Sequence, residues 1–378
     1  MLSRSRTTAA EGSYMAITYP HILVLIAALL AVANLARGQS ITIGDKPECQ
    51  SCRIEMRPVV TIMDSDAHIT GDVSTLARLP DGSFVVGTLG AKQALVFDGK
   101  GKYVRAIGRG GAGPGEHTFL ERVLTDAKGQ IHTWDLGLNR HSVFEASGSL
   151  LHTDPVSMVS AIQTSGLTAT GQLVTNGYNS VGSGRPSAVQ VVNAKGVVVA
   201  QGDVGTYDRK RVWTYLRRLV GLKNGNILSF RTFEYQFEIL SPQLNRVQAF
   251  RRDASWFPAI TDSTVTPSSG MFDVPAATIV RDAWVDEQER LWVVFGVRST
   301  EWRPMPKSRS ISMSDPQAKR PRYDTVVEVL DLKRRRLLVH QRFAGSGDAA
   351  FQHGYIARTS TETDGTLKVA IEKWELLR

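Results

Sequence analysis

Leu79 to Leu151 reads LPDGSFVVGTLGAKQALVFDGKGKYVRAIGRGGAGPGEHTFLERVLTDAKGQIHTWDLGLNRHSVFEASGSLL, one short-strand pattern written twice. A polar turn ending in glycine, Asp81-Gly82 and then Lys128-Gly129, opens each copy. Two β-rich runs follow, and a second glycine-centred turn (Gly99 to Gly101, then Gly148) closes it. Self-similarity at this period is the mark of a repeat architecture. It announces a fold and seldom a chemistry.

The rhythm continues outward. A third unit carries Leu173-Val174-Thr175 and Ala188 to Val192, and a fourth places Lys223-Asn224-Gly225 before Asn226 to Phe230. A fifth has Leu291 to Val294 and Thr325 to Leu330, and a sixth Tyr355 to Ala357 with Asp364-Gly365 before Leu367 to Ala370. From Gly82 to Gly129 is 47 residues, to Gly171 42 more and to Gly225 54 more, which brackets a four-stranded blade. The 140 residues to Gly365 fit two units plus one insertion, the Pro-, Ser- and Arg-rich segment from Val297 to Tyr323. Radial closure is the solution that leaves such strands few open edges. The expected fold is all-β, a six-bladed β-propeller over 57–378. The strand-like run Val59 to Met63 is expected to close the last blade, which holds about three strands of its own.

Arg4 and Arg6, the apolar run Ile22 to Ala33 and the small-residue end Ala36-Arg37-Gly38 describe a secretory signal peptide over 1–38, with Met15 as an alternative start. The apolar run is short of the about 20 residues a spanning helix needs, so no stable membrane anchor is expected. The protein is read as exported, periplasmic or extracellular, and as a monomer. Removing Arg4, Arg6, Arg37 and Glu11 takes the formal net charge from +9 to +7. Basic clusters at Arg209 to Arg211, Arg251-Arg252 and Lys333 to Arg336 read as solvated turns, with acidic ligands as the alternative. An exported chain points away from nucleic acid. In the segment 39–56, Cys49 and Cys52 stand as C-x-x-C without the following His of a haem site or a second Cys pair for zinc. A local disulfide is expected, with redox cycling and transient metal binding as the alternatives.

At Ile107-Gly108-Arg109-Gly110-Gly111-Ala112-Gly113-Pro114-Gly115-Glu116 the chain resembles the NHL-like six-bladed propellers of bacteria, whose blades often join through a Gly-Pro-Gly-Glu segment. Asp126, Gly129, Asp135, Asn139, Arg140 and Gly148 fall where such blades carry similar residues. His117 and Trp134 depart from that pattern, standing where an aromatic apolar and a small β-branched residue are usual. The resemblance implies the fold and a habit of ligand or protein binding, in a family that holds both enzymes and non-enzymes.

Gly108, Gly110 and Gly113 satisfy G-x-G-x-x-G, but Pro114-Gly115 leads into another strand unit, so the segment reads as a joint between blades. Asp135 and Arg140 bracket a turn at salt-bridge distance and read as structural. His117, His132, His141 and His152 are not at metal spacing. Candidate ligand-contacting residues are the departures His117 and Trp134, and an aromatic and cationic rim of Trp213, Tyr215, Trp302 and Arg303. The expected function is binding of a protein, peptide or glycan through loops on one face, with no catalytic residue and no cofactor. The alternative is a lactonase-like metal-dependent hydrolase or lyase, using a divalent cation such as calcium held by carboxylates at the central channel.

Overall fold

Strand composition alternates with Asp- and Gly-bearing turns throughout, and in the computed structural model the strands gather into six blade sheets around a channel, with one two-stranded piece, Arg109–Gly110 with Glu116–His117, beside them. The structure describes residues 40–63, 72–88, 90–156, 159–160, 166–178, 188–193, 195–203, 216–258, 277–303, 323–345 and 349–378. The expected signal peptide, the body of the insertion, Trp213 and Tyr215 lie outside them. The chain is a six-bladed β-propeller.

From the channel outward, blade 1 is Val73–Arg78, Phe84–Thr88, Ala94–Phe97 and Tyr103–Ile107. Blade 2 is Leu120–Thr125, Ile131–Asp135, Arg140–Phe144 and Leu150–Pro155. Blade 3 begins with the short pieces Val159–Ser160 and Gly166–Leu167 and continues through Leu173–Tyr178, Ala188–Val192 and Val198–Asp203. Blade 4 is Arg217–Gly221, Ile227–Arg231, Gln236–Leu240 and Arg246–Arg252, and blade 5 is Ile279–Val285, Arg290–Arg298, Tyr323–Asp331 and Arg336–Phe343. Blade 6 is Ala350–Gln352, Tyr355–Thr361 and Leu367–Leu377. The innermost strands touch one another in cyclic order, which closes the ring.

The N-terminal region is a strap across three blades. Ser40–Ile43 adds a fifth, parallel strand to blade 4, with Ser40 opposite Ala249 and Ile43 opposite Arg252. The next turn crosses blade 5, where Glu48 and Cys49 donate backbone hydrogen bonds to Leu337 and Leu338, and a disulfide joins Cys49 to Cys52. Arg53–Met63 then pairs antiparallel with Leu367–Leu377 and completes blade 6. The closing strand thus starts at Arg53 rather than at Val59. From Ser40 onward the segment expected to precede the propeller is built into it, because a short blade and an open blade edge each offer it unpaired backbone groups. Leu367–Ala370 and Lys373–Leu376, separate runs in the sequence, are one strand.

Middle strands are buried on both faces because each blade packs against two neighbours. Phe84–Thr88 and Ala94–Phe97 are buried along their whole length. Between blades 4 and 5 the seam is aromatic: Phe230, Tyr235, Phe237, Phe250 and Phe295 pack together with Trp256 and Phe257 against them. Inside this seam Glu328, with no exposed side-chain surface, accepts hydrogen bonds from Tyr235, from Nε and Nη2 of Arg252, from Trp256 Nε1 and from His340. Arg252 also bridges to Asp45 and the Gly44 carbonyl, so the network ties the strap to the seam.

Candidate functional site

In blades 1 to 5 the inner strand turns back through one type of tight turn. Gly82, Gly129, Gly171 and Gly225 occupy its left-handed position, each donating its amide to the carbonyl three residues earlier. In blade 5 the same position is held by Glu289 at φ 59°, donating to Asp286. A non-glycine residue there hides the turn from a sequence reading that looks for glycine. Blade 6 shortens the turn to His353-Gly354, at φ 44° and 89°. Both residues in left-handed conformation make the primed hairpin turn that suits two tightly paired strands. Asp364-Gly365, read from sequence as equivalent to Gly225, turns between the second and third strands of blade 6 instead.

Counting back seven residues from Gly82, Gly129, Gly225 and Glu289 brings up Thr75, Arg122, Arg218 and Asp282. Strand irregularities at Ser74, Glu121 and Arg281 come just before this level, so the count holds through the paired stretch that follows. Blades 1, 2, 4 and 5 therefore present these four residues at one height in the ring. Thr75 seals blade 1 to blade 2: its hydroxyl accepts from the Val123 amide at 2.9 Å. The other three are charged.

Arg122, Arg218, Asp282 and His353 line a cavity of about 360 Å³ that opens at the inner-strand turns. Leu124, Leu167, Val220 and Leu222 form its apolar wall, and Asp126, Thr168, Ala169 and Lys223 stand at its mouth. At about 3.3 Å per strand residue, Arg122 lies about 13 Å inside Asp126. Asp282 is buried and accepts the His353 amide at 2.8 Å, which holds the strained turn in place. His353 keeps exposed surface at the channel, while protein packs closely around its ring. That enclosure pushes its pKa down; Asp282 opposes the shift, while Arg122 and Arg218 reinforce it. Burial also lowers the Arg218 pKa, to about 9, with Arg122 and Arg281 adding to the effect and Asp282 opposing it. The side chain remains a cation at neutral pH. Arg122 is lowered by burial against the opposing pull of Asp282 and Glu121. Asp126 is occupied elsewhere, accepting the Lys128 and Gln130 amides and facing His132 Nε2 at 3.7 Å.

The described residues singled out from sequence, His117, Trp134, Trp302 and Arg303, are not in the lining of this cavity. His117 and Trp134, 1% and 2% exposed, are packed inside the propeller and have no surface to offer a ligand. His117 Nε2 bonds Thr133 Oγ1 at 2.8 Å, and its ring fills the space beside Gly108, where a Cβ would clash at 2.3 Å. Trp302 is buried beneath Arg298, while Arg303 is exposed and donates to the Thr300 and Trp302 carbonyls. The Gly108 to Gly115 segment is indeed a joint: Glu116 accepts from the Gly113 amide and Arg109, and Arg140 donates to the Ala112 and Gly113 carbonyls. Asp135 and Arg140 face each other across their hairpin, but no ion pair joins them among the described residues. Asp135 instead accepts the amides of Thr118, Phe119 and Leu138. Three of the four sequence histidines do meet: His132 Nδ1 lies 3.0 Å from His141 Nε2, His141 stacks edge-on against His152, and His152 bonds Asp154. Among the described residues no group of three or more His, Cys, Asp or Glu side chains is placed to hold a metal ion.

A domain family described as a six-bladed β-propeller, DUF5128, matches residues 59–165. No curated protein matches the sequence. Among solved structures, a protein of Bacteroides fragilis whose name assigns it provisionally to export is similar at 12% identity, over 89% of this chain and 99% of that one, with a TM-score of 0.56. A DUF4221-family protein of Bacteroides vulgatus is similar at 9% identity, over 85% of this chain and 98% of that one, with a TM-score of 0.51. Likenesses at this identity concern the fold alone.

Proposed function

We propose that this protein is an exported binding propeller that takes a small ligand, or the tip of a peptide or glycan, into the central channel through the mouth formed by the inner-strand turns. The observation that carries the reading is the charged level of Arg122, Arg218 and Asp282 with His353 inside a cavity of about 360 Å³. That volume is in the range of small-ligand sites, and a mostly apolar wall with a few convergent polar groups is their usual make-up. Export is supported by the signal-like N-terminus and by the Cys49–Cys52 disulfide. A metal-dependent hydrolase is the weaker reading, because a divalent cation at this level would sit beside two guanidinium groups and a single buried carboxylate.

The test is a thermal-shift screen of the mature chain against a library of acidic, neutral and basic small molecules, repeated on Ala169→Trp. Ala169 is exposed at the mouth, so a large side chain there blocks entry with little effect on folding. Stabilising compounds are expected to lose their effect in that variant. Hits that stabilise both proteins equally would place binding elsewhere and refute the reading.

A further inference from the structure

We infer that the ligand is a linear, uncharged oligosaccharide lying along a groove that leads away from the channel mouth. The inference rests on the channel reading for the sugar that enters first, and adds a further stretch of binding surface and the chemical class of its occupant. Leu222, Lys223 and His353 line the channel cavity and also a larger one, of about 1000 Å³, that runs outward over blade 5 between blades 4 and 6. Its far end is at Leu332 and Lys333, in the turn between the two outer strands of blade 5. That volume is at the upper end of the range for small-ligand sites. Continuous with the channel, it suits a chain of linked units better than one compact molecule.

The charges along the groove cancel. Its cations are Lys223, Arg290, Lys333 and Lys373, and its carboxylates are Asp286, Glu287, Glu289 and Glu375. A lining without net charge is complementary to a neutral partner. Arg290 and Asp286 are bonded to each other and Glu375 to Arg57, whereas Lys223, Lys333, Lys373, Glu287 and Glu289 are exposed and form no ion pair among the described residues. An ammonium only donates hydrogen bonds and an ionised carboxylate only accepts them, so walls carrying both fit groups that do both, as sugar hydroxyls do. A peptide would seek backbone partners, and these walls have few to give. The Leu222 and Asp286 amides donate to Asn226 and Arg290 within their own turns, and the Trp374 amide donates to the Gly354 carbonyl. The Gln288 and Arg290 amides donate to the Asp286 carboxylate. Trp284, Trp292 and Trp374 also line the groove; the first two stack at 5.2 Å, and all three are packed into the hydrophobic seam between blades 5 and 6. A fixed apolar side next to polar walls matches the C–H and O–H faces of a sugar ring.

Calorimetry on the mature chain tests this with linear glucose-, mannose- and N-acetylglucosamine-based oligosaccharides of one to six units. In at least one series affinity is expected to rise with length and then level off once the groove is filled, with little response to added salt because the ligand is uncharged. The double variant Glu287→Ala, Lys333→Ala removes two exposed turn side chains that folding does not need. It is expected to weaken the longer members about tenfold or more, the usual consequence of removing charge-assisted bonds, and the single sugar hardly at all. The inference is overturned if no oligosaccharide binds at millimolar concentration, if the single sugar binds as tightly as the longer members, or if the double variant binds the longer members unchanged. Sugar binding that is lost in Ala169→Trp but untouched by the double variant overturns the groove and leaves the channel reading intact. Binding lost in the double variant but indifferent to Ala169→Trp supports the groove and refutes the channel reading. A pool of uncharged tetrapeptides that binds where sugars do not, and is weakened by the double variant, would make the groove a peptide site and overturn the oligosaccharide.

Discussion

Replacing Glu328 with Gln should be among the most damaging single changes in this propeller, although it alters neither volume nor shape. Glu328 and Arg252 have no exposed side-chain surface and meet at 2.8 Å. At an effective dielectric of about 20 that separation corresponds to roughly 6 kcal/mol of gross attraction, much of it offset by the desolvation of two ions. The substitution leaves the desolvation of Arg252 in place and removes its compensation. Asp45, the other carboxylate on Arg252, is 42% exposed and therefore screened. The amide also turns a donor toward Tyr235, Trp256 or His340, each of which donates to Glu328 now. A loss of about 3–5 kcal/mol is expected, the usual cost of orphaning one partner of a buried pair. Arg252→Met should cost a similar amount, and the double variant less than the sum by about 1–3 kcal/mol, because no buried charge then lacks a partner. Urea unfolding of the four proteins measures this. A Glu328→Gln cost below about 1 kcal/mol, or strict additivity in the cycle, refutes the reasoning.

The closing strand predicts a contrast within one segment: Ile62→Ala, fully buried, should cost about 2–4 kcal/mol, while Val59→Ala, 42% exposed, should change urea stability by less than about 0.5 kcal/mol. His141 is held well below the ordinary histidine value by burial, with His132 and His152 adding to the effect. The unfolded chain then binds more protons than the folded one, so this contribution to stability is complete above about pH 6.5 and is lost as pH falls through the lowered folded value. His141→Gln should flatten that acid limb in melts taken across pH 4 to 7. Reducing the Cys49–Cys52 disulfide opens a very short loop and should cost about 2 kcal/mol, seen as a modest fall in melting temperature with the fold retained. Gly354→Ala meets both a φ of 89° and the Trp284 indole at 3.2 Å, and should cost about 1–3 kcal/mol in the same assay.

Much of the ring was legible because middle strands are buried on both faces and write continuous apolar runs, as in Phe84-Val85-Val86 and Leu291 to Val294. The inner strands were not. Arg122, Arg218 and Arg281-Asp282 interrupt their apolar character because these strands border water in the channel. The candidate site was hidden by the same cause and by two disguised turns, Glu289 in place of glycine and the shortened His353-Gly354. Aligning units on the residue that must be left-handed, rather than on glycine itself, brings Arg122, Arg218 and Asp282 into one column. His117 and Trp134 stood out as departures from a family pattern for a different reason: they fill the interior of one joint and one seam, and unusual packing leaves the same trace in a sequence as unusual chemistry.

The strap across blades 4 to 6 has a consequence in time as well as in space. Arg53 pairs with Leu377 and Ser40 with Ala249, so two early strands have partners far along the chain, one of them in the last strand. Pairings this distant in sequence carry a large loop-closure cost that is met before any contact rewards it. Until the C-terminal strands arrive, Arg53–Met63 has no blade to complete, and the ring stands open with inter-blade surfaces exposed. A half-made chain is therefore a different object from the finished one, sticky where the native protein is sealed. The Cys49–Cys52 disulfide, which closes the turn between the two strap strands, fits a chain that must bring its early and late strands together.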